Sequence, residues 1–194
     1  MALTEIAPGL RRWTARHDEW QEDVGCLAVD TDDGLVLIDP LDPPREVGRP
    51  DHALVTVFFH ARSTKAPEVW AHERLVRRLA SRGVEVNHPF TAGDPLPGGI
   101  QAFQTARKSE VVFWLPRQQA VVVGDVLLGA GAKPHATDEP LRLCPERWLE
   151  GGTHHDLRES LAPLLELPVE HVLVSHGEPV LRGGGDALAT VLAG

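Results

Sequence analysis

Two short apolar runs of this sequence end in side chains that can bind metal ions or cations. Residues 120–123 run into a Gly-Asp pair that ends at Asp125, and residues 172–174 run into Ser-His-Gly around His176. A carboxylate beside so many Val and Leu residues is costly to bury unless a metal, a cation or backbone N–H groups meet it. Asp125 and His176 are therefore the centre of a candidate site.

The elements that carry these two residues are predicted to be buried strands. Short apolar runs rich in β-branched residues are typical of strands that are covered on both faces. The ends of such strands are where open sheets place their chemistry. We therefore expect Asp125 and His176 to be brought to one sheet edge by strands that are far apart in the chain.

The remaining pattern predicts an α+β layered fold. A hairpin with an Asp-Gly turn ends at Asp39, and a buried strand over residues 52–59 leads into His60. Apolar residues at helical spacing predict the clearest helix over residues 66–82 and a second helix over residues 155–167. Further predicted elements are strands at 25–31, 34–39, 84–87, 100–105, 110–115 and 119–126, and a closing helix at 186–192.

Length and charge restrict the class of protein. A chain of 194 residues is expected to form one domain, 1–194. The net charge of −9 argues against nucleic-acid binding and against binding to an anionic membrane surface. We find no apolar run that would span a bilayer and no signal-peptide pattern, so we expect a cytoplasmic protein. The sequence carries no signal for the oligomeric state.

The order of four motifs, LVLIDP, HARST, VVVGDVLLG and VLVSHGEPV, resembles the metallo-β-lactamase superfamily along nearly the whole chain. The resemblance implies a four-layer αββα sandwich with metal ions at one edge of the paired sheets. Asp125 matches the position of the family's metal-bridging aspartate, and His176 matches its final histidine ligand. Asp39 matches the acidic residue that supports the site from behind.

The richest motif of the family, Thr-His-x-His-x-Asp-His, departs from the pattern in this chain. It falls on residues 56–63, TVFFHARS, where at least three of the four metal-binding groups are absent and only His60 remains. The family's middle histidine loop corresponds to residues 105–110, TARKSE, which offers Arg107 and Lys108 instead of histidine. The resemblance therefore makes a two-metal centre improbable, since such a centre needs about twice the ligands of one metal.

One metal ion is compatible with the residues that remain. A catalytic zinc needs about three protein ligands and an open position for water. His60, Asp125 and His176 would supply the ligands, with Asp125 as the catalytic carboxylate and His135 as a further candidate in the following loop. By this resemblance the chain would hydrolyse a small ester, lactone, thioester or phosphoester with zinc-activated water.

A metal-free interpretation stays open and is slightly favoured by the missing ligands. Arg62 and Arg107 lie in the loops where the family has histidines, and an arginine stays charged when it is partly buried. Either would pair with Asp125, and in a pocket without metal or catalysis Arg62 and Arg107 would suit a small anionic ligand, such as a carboxylate or phosphate, or a partner. A serine-nucleophile hydrolase is a weaker third interpretation, since Ser175 and His176 are strand neighbours that face opposite ways.

Overall fold

The described residues, 2–64 and 66–194 of a computed structural model, contain two main β-sheets. The larger sheet has seven strands in chain order. Its first four strands pair antiparallel, and the fourth to seventh pair parallel. These strands are β1 (Thr4–Ala7), β2 (Leu10–His17), β3 (Glu22–Thr31), β4 (Gly34–Ile38), β5 (His52–Val55), β6 (Glu68–His72) and β7 (His88–Phe90).

The smaller sheet has four strands. Three of them are consecutive in the chain, and the fourth is the last strand of the protein. It contains β8 (Gln101–Gln104), β9 (Val111–Leu115) and β10 (Ala120–Val123). A two-stranded ribbon follows, made of β11 (Leu127–Gly129) and β12 (Leu141–Leu143). The final strand, β13 (His171–Val174), returns to pair parallel with β10, which gives the order β13-β10-β9-β8.

Side chains on alternate faces of the strands divide the apolar core into layers. In β9, Phe113 and Leu115 face the seven-stranded sheet, whereas Val112 and Trp114 face the opposite side. Burying one such aromatic side chain stabilises the fold by roughly 2–3 kcal/mol. The layer between the sheets includes Leu27, Ile38 and Leu54 from the larger sheet and Val122 and Leu173 from the smaller one.

Helices cover the outer faces of both sheets, so that the layer order is αββα. The helix α1 (Glu73–Ala80) packs Leu75 and Leu79 against Val55 of β5. The helices α2 (His154–Leu161) and α3 (Gly184–Ala193) pack on the far side of the smaller sheet through leucines that include Leu188. None of the described helices is long and apolar enough to cross a membrane.

Two helix predictions need correction. Residues 68–72 of the helix predicted over 66–82 form β6, and α1 begins only at Glu73. Parallel pairing of this segment with both β5 and β7 outweighs its helical spacing, since the backbone hydrogen bonds and the buried Val69 and Ala71 favour a strand. The helix predicted over 155–167 changes to a 3-10 turn at Ala162–Glu166, whose second residue is Pro163.

Candidate metal centre

Asp125 and His176 lie just beyond the ends of two neighbouring strands. Parallel pairing of β10 with β13 places Val123 opposite Val174, so both chains leave the sheet at the same edge. The Nε2 atom of His176 is 3.2 Å from Oδ1 of Asp125. Both residues are buried, and they lie close together although about 50 residues separate them in the sequence.

His60 reaches the same carboxylate oxygen from the larger sheet. It ends the 3-10 turn Phe58–His60 that follows β5, and its side chain is fully buried. Its Nε2 atom is 3.0 Å from Oδ1 of Asp125. One donor atom from each of His60, Asp125 and His176 lies within 4.8 Å of the others, an arrangement that fits a metal ion.

Carboxylates hold the other nitrogen of each histidine. Asp39 Oδ2 lies 2.9 Å from Nδ1 of His60, and Glu22 Oε2 lies 3.4 Å from Nδ1 of His176. Asp39 is itself held by the backbone N–H of Thr56, which donates to Oδ1 at 2.9 Å, and by the Thr56 hydroxyl. A carboxylate oxygen accepts, so the 2.9 Å contact with Asp39 places a proton on Nδ1 of His60, and both rings are oriented with Nε2 towards Asp125.

The Nε2 atom of His60 supports the same fit. It is buried and has no hydrogen-bond partner among the described residues, although Asp125 is close, because the contact lacks hydrogen-bond geometry. A buried polar atom without a partner costs free energy. A metal ion held by His60, Asp125 and His176 would satisfy it, so the residues present fit one metal.

Arg107 binds the second oxygen of Asp125. Its Nη1 donates to Asp125 Oδ2 at 2.7 Å and to Glu110 Oε2 at 3.2 Å. The other oxygen of Glu110 accepts from the backbone N–H groups of Asp125 and Val126 at 2.8 and 3.1 Å. A Cβ at position 124 would lie 2.6 Å from Thr56 Oγ1 and 2.9 Å from Glu110 Oε1, so a side chain there would displace one of these groups. Glu110 thus fixes both the arginine and the strand exit.

Glu110 and Glu22 are site residues that the sequence motifs do not predict. Glu110 had a usable signal, because it is a lone acid directly before the apolar run VVFWL and three residues after Arg107. A buried charge is expected to have a charged partner. Glu22 had no such signal, since it lies in a polar segment where exposed acids are common.

Burial and neighbouring charges shift the pKa values of Asp125, His176 and Glu110. Burial raises the pKa of Asp125, but His60 and His176 outweigh it and hold that pKa well below its usual value. Burial lowers the pKa of His176, whereas Asp125 and Glu22 raise it, with a net increase to about 9. Burial and the charge of Asp125 raise the pKa of Glu110 to about 8, against the opposing effect of Arg107.

A cavity of about 640 Å³ opens onto Asp125 and His176. A volume of this size is typical of small-molecule sites. Its apolar walls come from Trp20, Phe59 and Trp148. The charged side chains that line it, besides Asp125 and His176, are Glu22, Arg107, Lys133, Arg147 and Glu150.

The two remaining candidates, Arg62 and His135, are not among the residues that line the cavity. The Arg62 guanidinium lies over the Trp20 ring, with Cζ 5.2 Å from the ring centroid. Its nitrogens have no hydrogen-bond partner within the described residues. Burial lowers the pKa of Arg62, and Asp39 opposes that change. His135 is exposed and lies outside the His60–Asp125–His176 group.

Solved structures similar to this chain are metallo-β-lactamases. The enzyme from Pontibacter korlensis is 16% identical with a TM-score of 0.69, and the match covers 99% of this chain and 98% of that one. FIM-1 from Pseudomonas aeruginosa, in its mono-zinc form, is 14% identical with a TM-score of 0.68, covering 99% and 94%. The enzyme from Erythrobacter litoralis is 15% identical with a TM-score of 0.70, covering 98% and 95%.

Sequence comparisons add nothing to this structural likeness. No protein-family profile matches the chain, and no curated protein sequence matches it. At identities of 16% and below, the structural likeness shows the fold alone. The chain has the metallo-β-lactamase fold, as the order of its motifs predicts.

Proposed function

We propose that this chain, which has the metallo-β-lactamase fold, is a hydrolase that uses one divalent metal ion, and that this ion is zinc. The observation that carries the proposal is the group of three donor atoms, from His60, Asp125 and His176, within 4.8 Å of one another. The cavity that Asp125 and His176 line leaves room for a substrate.

The chain's own residues hold and orient this centre. His60, Asp125 and His176 would hold the ion, while Asp39 and Glu22 orient the rings of the two histidines. A bound ion would supply Lewis-acid chemistry and a water molecule of lowered pKa as the nucleophile for hydrolysis.

The cavity walls select and position the substrate. Trp20, Phe59 and Trp148 offer apolar and aromatic surface to the uncharged part of a ligand and exclude water around it. Lys133 and Arg147 add positive charge to the same cavity. These features favour a small ester, lactone, thioester or phosphoester with an apolar part and an anionic group.

A second candidate function is a metal-free relative that binds a small anion without catalysis. The ion pair between Arg107 and Asp125, at 2.7 Å, favours it, because the carboxylate already has one cation. The pair occupies only Oδ2 of Asp125, however, and Oδ1 faces the two histidines. Metal analysis separates the two candidates.

The test is the metal content of protein purified without a His-tag and titrated with zinc. We expect one equivalent in the parent and a loss of at least tenfold in affinity in His60→Ala and in Asp125→Ala, since each change removes a ligand. Asp39→Asn should weaken zinc binding about 10–100-fold, because it removes the carboxylate that orients His60.

His155→Ala is the matched control, since the His155 side chain is 79% exposed and is not one of the three residues of the proposed centre. The zinc-loaded parent and this control should hydrolyse 4-nitrophenyl acetate or a simple lactone, and chelator should abolish the reaction. A parent that binds no zinc, iron or manganese would disprove the proposal and leave the metal-free candidate.

A further inference from the structure

A second, smaller cavity of about 270 Å³ shares the lining residue Glu150 with the cavity at the proposed metal centre. It is lined by Arg74 and Arg78 of α1 and by Lys108, Ser109 and Glu150. Three of these five side chains are cationic and one is acidic. The surplus of positive charge stands out in a chain whose net charge is −9.

Two separate elements deliver the cations to this cavity. Arg74 and Arg78 are four residues apart on α1, so they lie on the same helix face. Lys108 comes from the segment between β8 and β9. All three side chains belong to exposed residues and are therefore accessible to a ligand.

The arrangement already holds one oxyanion. Oε1 of Glu150 accepts from Arg78 Nη1 at 3.3 Å and from the Ser109 hydroxyl at 2.8 Å. Arg74 and Lys108 make no ion pair with any described residue. A carboxylate thus occupies part of the cavity, and two further cations are left for an external anion.

The small cavity and the metal-site cavity share a border. Glu150 lines both of them. Phe59, which lines the larger cavity, lies with its ring centroid 3.7 Å from that of Phe58, and Arg78 packs over Phe58 at 4.6 Å. One elongated molecule that passes Glu150 would therefore contact both cavities.

We propose that the small cavity binds a phosphate group at the far end of the substrate whose reacting bond lies at the metal centre. This inference rests on the proposed hydrolase function. A phosphate carries about two negative charges and several acceptor oxygens, which suits a guanidinium fork and an ammonium group together. Arg107, a candidate for this role by sequence, is already held by Asp125 and Glu110.

Matched esters test the inference by kinetics. The zinc-loaded parent is compared on 4-nitrophenyl hexanoate and on the same ester with a phosphate on its terminal carbon. We expect kcat/KM to favour the phosphorylated ester about tenfold, the range of one or two charge-assisted hydrogen bonds at an exposed site. The preference should fall to about one in Arg74→Ala/Lys108→Ala and persist in Arg77→Ala, an exposed arginine of α1 outside the cavity.

Direct binding tests the same cavity without catalysis. Metal-free parent is titrated with inorganic pyrophosphate, and backbone amide chemical shifts are followed by NMR. We expect shifts around Arg74, Arg78 and Lys108, and a Kd at least fivefold weaker in Arg74→Ala/Lys108→Ala but unchanged in Arg77→Ala. Added salt should weaken the binding, because the site is exposed.

The outcomes separate this inference from the proposed function. Equal rates on both esters, with no pyrophosphate shifts at Arg74, Arg78 and Lys108, would overturn the inference and leave the hydrolase intact. If the protein binds no metal and cleaves neither ester, the hydrolase proposal is wrong, and the pyrophosphate titration alone decides whether the cavity binds phosphate.

Discussion

At the scale of single residues, the two oxygens of Asp125 have different partners. Oδ1 lies 3.0 and 3.2 Å from the Nε2 atoms of His60 and His176, and Oδ2 accepts from Arg107 at 2.7 Å. Arg107 thus supplies a permanent positive charge on one side of the carboxylate. The other side is left for a single metal, which is why one ion suffices in the proposed centre.

The Arg107–Glu110 pair should be a strong determinant of stability, because Glu110 is fully buried and Arg107 nearly so. In metal-free protein, we expect Arg107→Met or Glu110→Gln alone to lower the free energy of unfolding in urea by about 3 kcal/mol, since Arg107→Met leaves two buried carboxylic side chains, Glu110 and Asp125, without their cation and Glu110→Gln removes one of the two acidic partners of a buried arginine. The loss of unfolding free energy in the double variant should be smaller than the sum of the two single losses by at least about 1 kcal/mol.

The surface pair of Arg117 and Asp32, whose side chains are 58% and 75% exposed, is the matched control. Its corresponding variants should change stability little and additively, because solvent screens an exposed pair. Additive losses at Arg107 and Glu110 would contradict the view that the two residues act as one unit.

At the scale of elements, the site depends on how closely the exit of β13 approaches β11. Gly177, the residue after His176, has φ 84°, and a Cβ there would lie 2.5 Å from the carbonyl oxygen of Gly129. The backbone N–H of Gly129 donates to the carbonyl of His176 at 2.9 Å. A side chain at position 177 would therefore push His176 away from Asp125.

Gly177→Ala should destabilise the protein by about 2–3 kcal/mol and weaken zinc binding at least tenfold, since it adds a backbone clash to an unfavourable φ. Gly183→Ala is the control, because Gly183 has φ 66° but open space around its Cβ position. That control should cost only about 1 kcal/mol and leave zinc binding unchanged. Equal effects of the two changes, measured by urea unfolding and zinc titration, would disprove the close-approach argument.

At the scale of the whole molecule, the candidate centre joins the two sheets. His60 follows a strand of the larger sheet, and Asp125 and His176 follow strands of the smaller one. The backbone N–H of Gly25 in β3 also donates to the carbonyl of Ser175 at 2.8 Å. An ion held by all three residues would therefore tie the two central layers together.

Zinc should accordingly raise the melting temperature of the parent. At a free zinc concentration of about 100 times Kd, binding to the native state alone adds about 2.7 kcal/mol. For a domain of this size, that gain corresponds to an increase of about 5–10 °C. The increase should fall by at least about half in His60→Ala and vanish with chelator, as measured by calorimetry, and a parent that zinc leaves unshifted would contradict the three-residue centre.

The sequence by itself determined the layered α+β fold and the strand ends that carry Asp125 and His176, because runs of buried β-branched residues specify strands locally. It also indicated His60 as a candidate ligand, because His60 is the one histidine in the segment that corresponds to the family's metal-binding motif. It misassigned residues 68–72 to a helix, since their strand state depends on pairing with β5 and β7.

Only the tertiary structure decided which charges meet. Glu22, the first residue of β3, contacts His176. Arg107 pairs with Asp125 and is held in that position by Glu110. The contacts of Glu22 with His176 and of Arg107 with Asp125 join different strands, and local sequence does not encode the relative position of two sheets. The physical reason is that charges attract each other strongly only where they are shielded from water, and that shielding exists only once the layers of the fold have assembled.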